Sequence, residues 1–341
     1  CRSGSTQPEF DEPPTTRRRV TRHNRHVILT VTPNPSVDRT VDLASLVPGE
    51  VNRASAHHVE PSGKGVNVAR ALRINGVRAT AVIPVGGPEG AQLVALLDDE
   101  GVSHLDVPIA GAVRVNISVR TPDGQVTKFN EPGPVLSWAE AEALAETVLT
   151  RMGRADWVVG SGSLPGGMAA GFYAELGEKV RRDGGRFALD SSGGALRAGL
   201  EGRPDLVKPN LAELAELAGC PLTSLGAAIA AADDVRRTTG GAVLVSLGPA
   251  GALLVDGEPP LHVEVRTPVR VRSSVGAGDN LLAGYLSRVS AGGDRRVALA
   301  EAVAWATVAV RARGSLARAV TDGDRRSVHV HGAPDTARVL P

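Results

Sequence analysis

Four runs in the second half of this chain, Trp157-Val158-Val159, Phe187-Ala188-Leu189, Leu206-Val207 and Val243-Leu244-Val245, are apolar at every position. A strand without polar alternation offers no face to water, so it must lie in a sheet covered on both sides. Helical segments over 211–217 and 225–238 separate the later runs, which makes the connections crossover helices and the sheet parallel. The first half reads the same way. A strand over 26–32 ends at Pro33, and a helix over 66–74 is stopped by Asn75-Gly76. A strand over 80–85 is ended by Gly86-Gly87-Pro88, and a helix over 92–100 is stopped by Gly101.

Residues 113–130 follow another rule. Val115, Ile117 and Val119 alternate with Asn116, Ser118 and Arg120, and Asp123-Gly124 supplies a hairpin turn. Alternation implies a sheet with one wet face. Together with a segment at about 40–60, it predicts a small antiparallel β lid on an α/β core. Neither an internal repeat nor an interdomain linker is visible, so residues 26–341 are expected to form one domain.

Composition narrows the function classes. Hydrophobic residues make up 42% and aromatics 3%, so Val, Ala and Leu must fill the core. Thirty-eight Lys+Arg against 37 Asp+Glu give a net charge of +1, which offers no global attraction to nucleic acid or a membrane. The cluster Arg17-Arg18-Arg19 with Arg22 has no interleaved aromatics and belongs to a polar, aperiodic stretch over 1–25, expected to be a disordered tail. Cys1 and Cys220 are the only cysteines, which excludes a disulfide framework and makes the cytoplasm the expected compartment. No apolar run reaches membrane-spanning length, and the eight histidines show no metal-ligand spacing.

In open parallel sheets ligands bind beyond the carboxyl ends of the strands. The polar and glycine motifs fall there: Asn34 and Asp38, Gly86-Gly87, Ser161-Gly162-Ser163, Asp190, Lys208-Pro209-Asn210 and Ser246-Leu247-Gly248. In Val275-Gly276-Ala277-Gly278-Asp279-Asn280, small residues lead straight into the apolar run 281–286. Bare backbone N–H groups at a helix N-terminus suit an anion such as phosphate. Asp279 beside such an anion is electrostatically wrong unless it takes a proton from an attacking hydroxyl, although an acid in a first helical turn also serves plain capping. Pro61-Ser62-Gly63-Lys64-Gly65-Val66-Asn67 is a second such turn, and it lacks the spacing of a P-loop. It reads either as a helix start with an exposed lysine or as a polyol grip by Asn67 with Lys64 meeting an anion. Asp38 suits a turn or vicinal sugar hydroxyls; Arg114 suits a surface strand or a lid arginine on a phosphate. Asn210 and Glu213 fit a capping box as well as a nucleotide site, and the 246–251 loop fits a simple turn as well as a nucleotide loop.

With these residues laid out, the chain resembles carbohydrate kinases of the ribokinase/PfkB family over about 27–316. The pair Gly-Lys-Gly-Val-Asn-Val-Ala-Arg from Gly63 and Val-Gly-Ala-Gly-Asp from Val275 carries the likeness. Thr32-Pro33-Asn34-Pro35-Ser36-Val37-Asp38, Gly49-Glu50-Val51-Asn52-Arg53, Asn130-Glu131-Pro132-Gly133-Pro134 and Gly160-Ser161-Gly162-Ser163-Leu164-Pro165 resemble the branch of 1-phosphofructokinase and tagatose-6-phosphate kinase. The resemblance implies a ribokinase-like fold and ATP-dependent phosphorylation of a phosphorylated ketohexose, with fructose 1-phosphate leading and tagatose 6-phosphate and fructose 6-phosphate behind it. It implies that Asp279 is the base and that Gly276, Ala277 and Gly278 form the anion hole. Asp38, Gly63, Asn67 and Ser163 would hold the sugar, with Arg114 and Lys64 facing its phosphate. Lys208, Asn210, Ser246, Gly248 and Gly251 would surround ATP, and Glu213 belongs to the segment linked to Mg²⁺, reached through water. Many such kinases use K⁺ near the anion hole, and a homodimer through the lid is a further expectation. Ser62 replaces the first of two usual glycines and Asn280 the usual Ser or Thr, changes that bear on the substrate rather than on the chemistry. A nucleoside or vitamin kinase is disfavoured by the cations Lys64 and Arg114, and a non-catalytic sugar-phosphate sensor by the presence of Asp279.

Overall fold

The computed structural model describes residues 27–153, 157–312, 314–315 and 317–341; the tail expected over 1–25 lies outside them. β1 (Ile28–Val31) leads into β2 (Ser36–Asp42) and β3 (Ala56–Ser62) of a small sheet. α1 (Lys64–Ile74), β4 (Ala79–Val85), α2 (Gly87–Asp99) and β5 (Ser103–Pro108) form the first βα units. β6 (Arg114–Arg120) and β7 (Val126–Asn130) return to the small sheet. The alternation resumes with α3 (Trp138–Arg151), β8 (Trp157–Ser161), α4 (Phe172–Arg182), β9 (Arg186–Asp190), α5 (Gly193–Gly199) and β10 (Leu206–Val207). α6 (Leu211–Ala218) and α7 (Leu225–Thr239) precede a meander of β11 (Ala242–Ser246), β12 (Ala252–Val255) and β13 (Leu261–Val265). The C-terminal part holds α8 (Ala277–Val289), α9 (Arg295–Val310), α10 (Asp322–Arg326) and β14 (Val328–Val330).

The large sheet has the order β14-β13-β12-β11-β10-β9-β8-β1-β4-β5. From β11 to β5 every pairing is parallel, and β8 to β11 carry the unbroken apolar runs that burial on both faces requires. β11 to β14 pair antiparallel and close one edge. On one face α1, α8 and α9 pack through Leu72, Leu282, Leu286, Leu299 and Trp305. On the other, α3, α4, α6 and α7 pack through Leu144, Tyr173, Leu176, Leu214 and Val235. This is a ribokinase-like α/β fold, with a mostly parallel sheet between helix layers and a small β lid.

Three local expectations are corrected. The lid begins at Ser36 rather than near 40, so Asp38 sits on a strand and not in a loop, and residues 43–55 are not strand. The lid sheet, in the order β3-β2-β6-β7, is mixed, because β2 and β6 run parallel. Each leaves the same edge of the large sheet, β2 from β1 and β6 from β5, so both must head in one direction. α2 begins at Gly87, earlier than 92, because Pro88 is accommodated in a first helical turn where its missing N–H costs nothing.

Candidate active site

The carboxyl ends of β1, β8, β9, β10 and β11 open on one edge of the sheet, and α8 starts there. Gly276 takes φ +74°, a left-handed conformation that a side chain would strain, and it turns the chain into the helix. Asn280 donates from Nδ2 to the Gly276 carbonyl at 2.9 Å, which holds that turn in place of the hydroxyl usual there. The N–H groups of the first turn then point to the sheet edge. Lys208, itself buried, stands beside them: a Cβ built on Gly278 would lie 3.3 Å from Lys208 Nζ. This puts a cation and a helix N-terminus at one point, the arrangement an anion requires.

Asp279 is 7% exposed and accepts a hydrogen bond from Asn67 Nδ2 at 2.9 Å. Burial, aided by the Asp190 carboxylate, pushes its pKa up to about 6, while Lys64, the Asn67 amide and Lys208 oppose the rise. The group therefore remains ionised at neutral pH and is a better proton acceptor than an ordinary aspartate.

Asp190, fully buried at the end of β9, organises the cations. Its Oδ1 accepts from Lys64 Nζ at 2.8 Å and lies 3.4 Å from Lys208 Nζ; Glu213 Oε1 is 3.6 Å from Lys64 Nζ. Burial disfavours the Lys64 charge, but Asp190 and Glu213 more than offset this and hold its pKa above the ordinary lysine range. The sequence places Asp190 among the polar groups at the ligand edge but gives it no role. Its Oδ2 has no hydrogen-bond partner among the described residues, a spare buried acceptor.

The residues expected at the sugar gather under the lid. Asp38 Oδ1 accepts from Ser36 Oγ at 2.7 Å and Asn116 Nδ2 at 2.9 Å. Arg114 donates to the carbonyls of Asn34, at 3.1 Å, and Glu131, at 2.9 Å, so it pins the two loops that rim the pocket. Ser163 Oγ accepts from Asn34 Nδ2 at 3.3 Å. Gly63 has φ +120°, and a Cβ there would stand 2.7 Å from Thr32 Cγ2, so close packing explains that glycine.

Some residues named for ATP have a structural duty as well. Asn210 and Glu213 form a reciprocal capping box at the start of α6, with Glu213 Oε2 accepting from the Asn210 N–H at 2.8 Å. Ser246 is bridged in parallel to Asn210, which places the two loops side by side. Gly248 takes φ +59°; Gly251 takes φ +86° and packs against the Val263 carbonyl, which leaves no room for a side chain. Lys64, expected to face the sugar phosphate, has its ammonium held by buried Asp190 and half-buried Glu213. Among the described residues no group of three or more His, Cys, Asp or Glu could hold a metal ion, and no helix is long and apolar enough to cross a membrane.

Comparison with known proteins agrees with this geometry. The pfkB family carbohydrate kinase profile matches residues 31–321. The chain is 40% identical to 1-phosphofructokinase of Rhodobacter capsulatus over 271 residues, 78% of this chain and 85% of the relative. It is also 40% identical to ATP-dependent 6-phosphofructokinase isozyme 2 of Escherichia coli over 265 residues, 75% and 83% of the two chains. The crystal structure of phosphofructokinase-2 from Escherichia coli in complex with potassium superposes with a TM-score of 0.83 at 32% identity, covering 88% of this chain and 97% of that one.

Proposed function

The chain belongs to the pfkB family of carbohydrate kinases, and on that premise we propose that it transfers the terminal phosphoryl group of ATP to a free hydroxyl of a phosphorylated ketohexose, with fructose 1-phosphate as the leading substrate. The observation that carries the reading is Asp279: a buried carboxylate of raised pKa in the first turn of α8, beside a cation and an anion-binding helix start. In the proposed cycle Asp279 accepts the proton of the attacking hydroxyl. The N–H groups of Gly276, Ala277 and Gly278, with Lys208, stabilise charge on the phosphoryl group in flight. Asp38, Asn67 and Ser163 hold the sugar, and Arg114 meets its phosphate at the lid. Lys64, held by Asp190 and Glu213, adds positive charge along the transfer path.

ATP would lie across Asn210, Ser246, Gly248 and Gly251. Its Mg²⁺ neutralises the triphosphate; Glu213 and the unpartnered Asp190 Oδ2 suit a cation held mostly by phosphate oxygens and water. Potassium, present in a relative's structure, is proposed as an activator. The exposed Cys220 thiol suits a reducing, cytoplasmic setting. The apolar lid face, where Ile117 pairs with Phe129 and both are exposed, is proposed as a homodimer surface.

A second reading, fructose 6-phosphate as the acceptor, is favoured by the equal identity to the 6-phosphofructokinase relative. ADP release measured against fructose 1-phosphate, fructose 6-phosphate, tagatose 6-phosphate and a neutral nucleoside decides among them. The highest kcat/KM is expected with fructose 1-phosphate. Preference for the nucleoside, or no turnover with any of the four, overturns the reading.

A further inference from the structure

Arg70 lies one turn along α1 from Asn67, and its side chain is 2% exposed. A buried guanidinium must have its donors satisfied, and the partners here come from β3, α1, the end of α2 and the segment after α9. Nε and Nη2 donate to the two oxygens of Glu100, at the end of α2, both at 2.6 Å. Nη1 donates to the Pro61 carbonyl at 2.9 Å, to Ser315 Oγ at 2.6 Å and to Asn67 Oδ1 at 3.4 Å. Glu60, on lid strand β3, lies 3.7 Å from Nη2 and accepts from the Ser315 N–H at 3.1 Å. His58 Nε2 is 3.8 Å from Glu60 Oε2, the same oxygen that faces Arg70.

Two of these contacts reach the reacting groups. Because Asn67 Oδ1 faces the guanidinium, Asn67 Nδ2 must face Asp279; the reverse orientation would set amide hydrogens against the guanidinium and the amide oxygen against a carboxylate. Ser315, held by Arg70 and Glu60, lines the back of the anion hole: its carbonyl would lie 3.3 Å from a Cβ on Gly276. We propose that Arg70 is a positioning residue for phosphoryl transfer, which orients Asn67 toward Asp279, seats Ser315 behind Gly276 and ties both to lid strand β3. This rests on the reading of Asp279 as the base.

Arg70→Lys keeps the charge but loses the planar fork. The turnover per folded molecule should fall about ten- to a hundredfold, the scale of small misplacements in an active site. The KM for ATP should stay within roughly threefold, because no nucleotide contact is disturbed. In an Asn67→Ala background the same substitution should cost markedly less, since the shared route is already cut. A buried ion pair that served stability alone would lower the melting temperature and leave kcat per folded molecule unchanged. That result, or equal losses in both backgrounds, overturns the proposal. If Arg70→Lys does not fold, Glu100→Gln at the helix end carries the test: it keeps the shape and removes one acceptor. A lowered kcat at constant KM for ATP is then expected, and an unchanged kcat refutes the role. Asp279→Asn separates the two claims: near-normal turnover there ends the base reading, whereas lost turnover there with normal Arg70 variants ends the positioning role only.

Discussion

Asp279→Asn should make this protein more stable while nearly silencing it. Asp279 is raised from 3.8 to about 6 by burial and by Asp190, so the fold works against its ionisation. An acid whose native pKa lies above its unfolded value binds more protons folded than unfolded between the two, so stability is lost as pH rises through that window. At 1.36 kcal/mol per pKa unit, the shift costs about 3 kcal/mol at pH 7.5, roughly half of that at pH 5, and little at pH 4. Asparagine has no charge to lose, and its amide oxygen can still accept from Asn67. The variant should therefore melt higher than the parent at pH 7.5, with the gap narrowing steadily toward pH 5. Turnover should fall by about two to four orders of magnitude, the usual reach of a general base. The assay is thermal denaturation of both proteins at pH 5.0 and 7.5, alongside ADP release. A variant less stable than the parent at pH 7.5, or equally displaced at both pH values, would refute the electrostatic argument, and near-normal turnover would remove Asp279 from the chemistry.

Arg114→Ala should raise KM for the sugar phosphate by roughly tenfold to a hundredfold, the equivalent of a charge-assisted hydrogen bond of about 1.5–3 kcal/mol, with KM for ATP little changed. Equal losses for both substrates would mean that Arg114 only pins the Asn34 and Glu131 loops. Phe129→Glu should shift the protein toward monomer in light scattering, because it sets a charge on the apolar lid face; an unchanged mass would rule that face out as the interface.

The layered architecture was legible in the residues because its cause is local. Unbroken apolar runs such as Val243-Leu244-Val245 have no stable home except a sheet covered on both faces, and the glycine and asparagine stops after helices act within a turn or two of chain. The same holds for the start of α8, where Gly276 to Asp279 are neighbours in sequence and their shared geometry follows from backbone freedom. The run of β2 was less clear, since a strand that begins directly after Pro35 and lies parallel to β6 is specified by the large sheet's edge rather than by its own pattern. The electrostatic design was not legible at all. Lys64 and Asp190 are 126 positions apart, Asn67 and Asp279 212, and Arg70 and Ser315 245. Which carboxylate meets Lys64 depends on which strand end lies opposite it. That is set by the order β10-β9-β8-β1, and only the packed sheet supplies it.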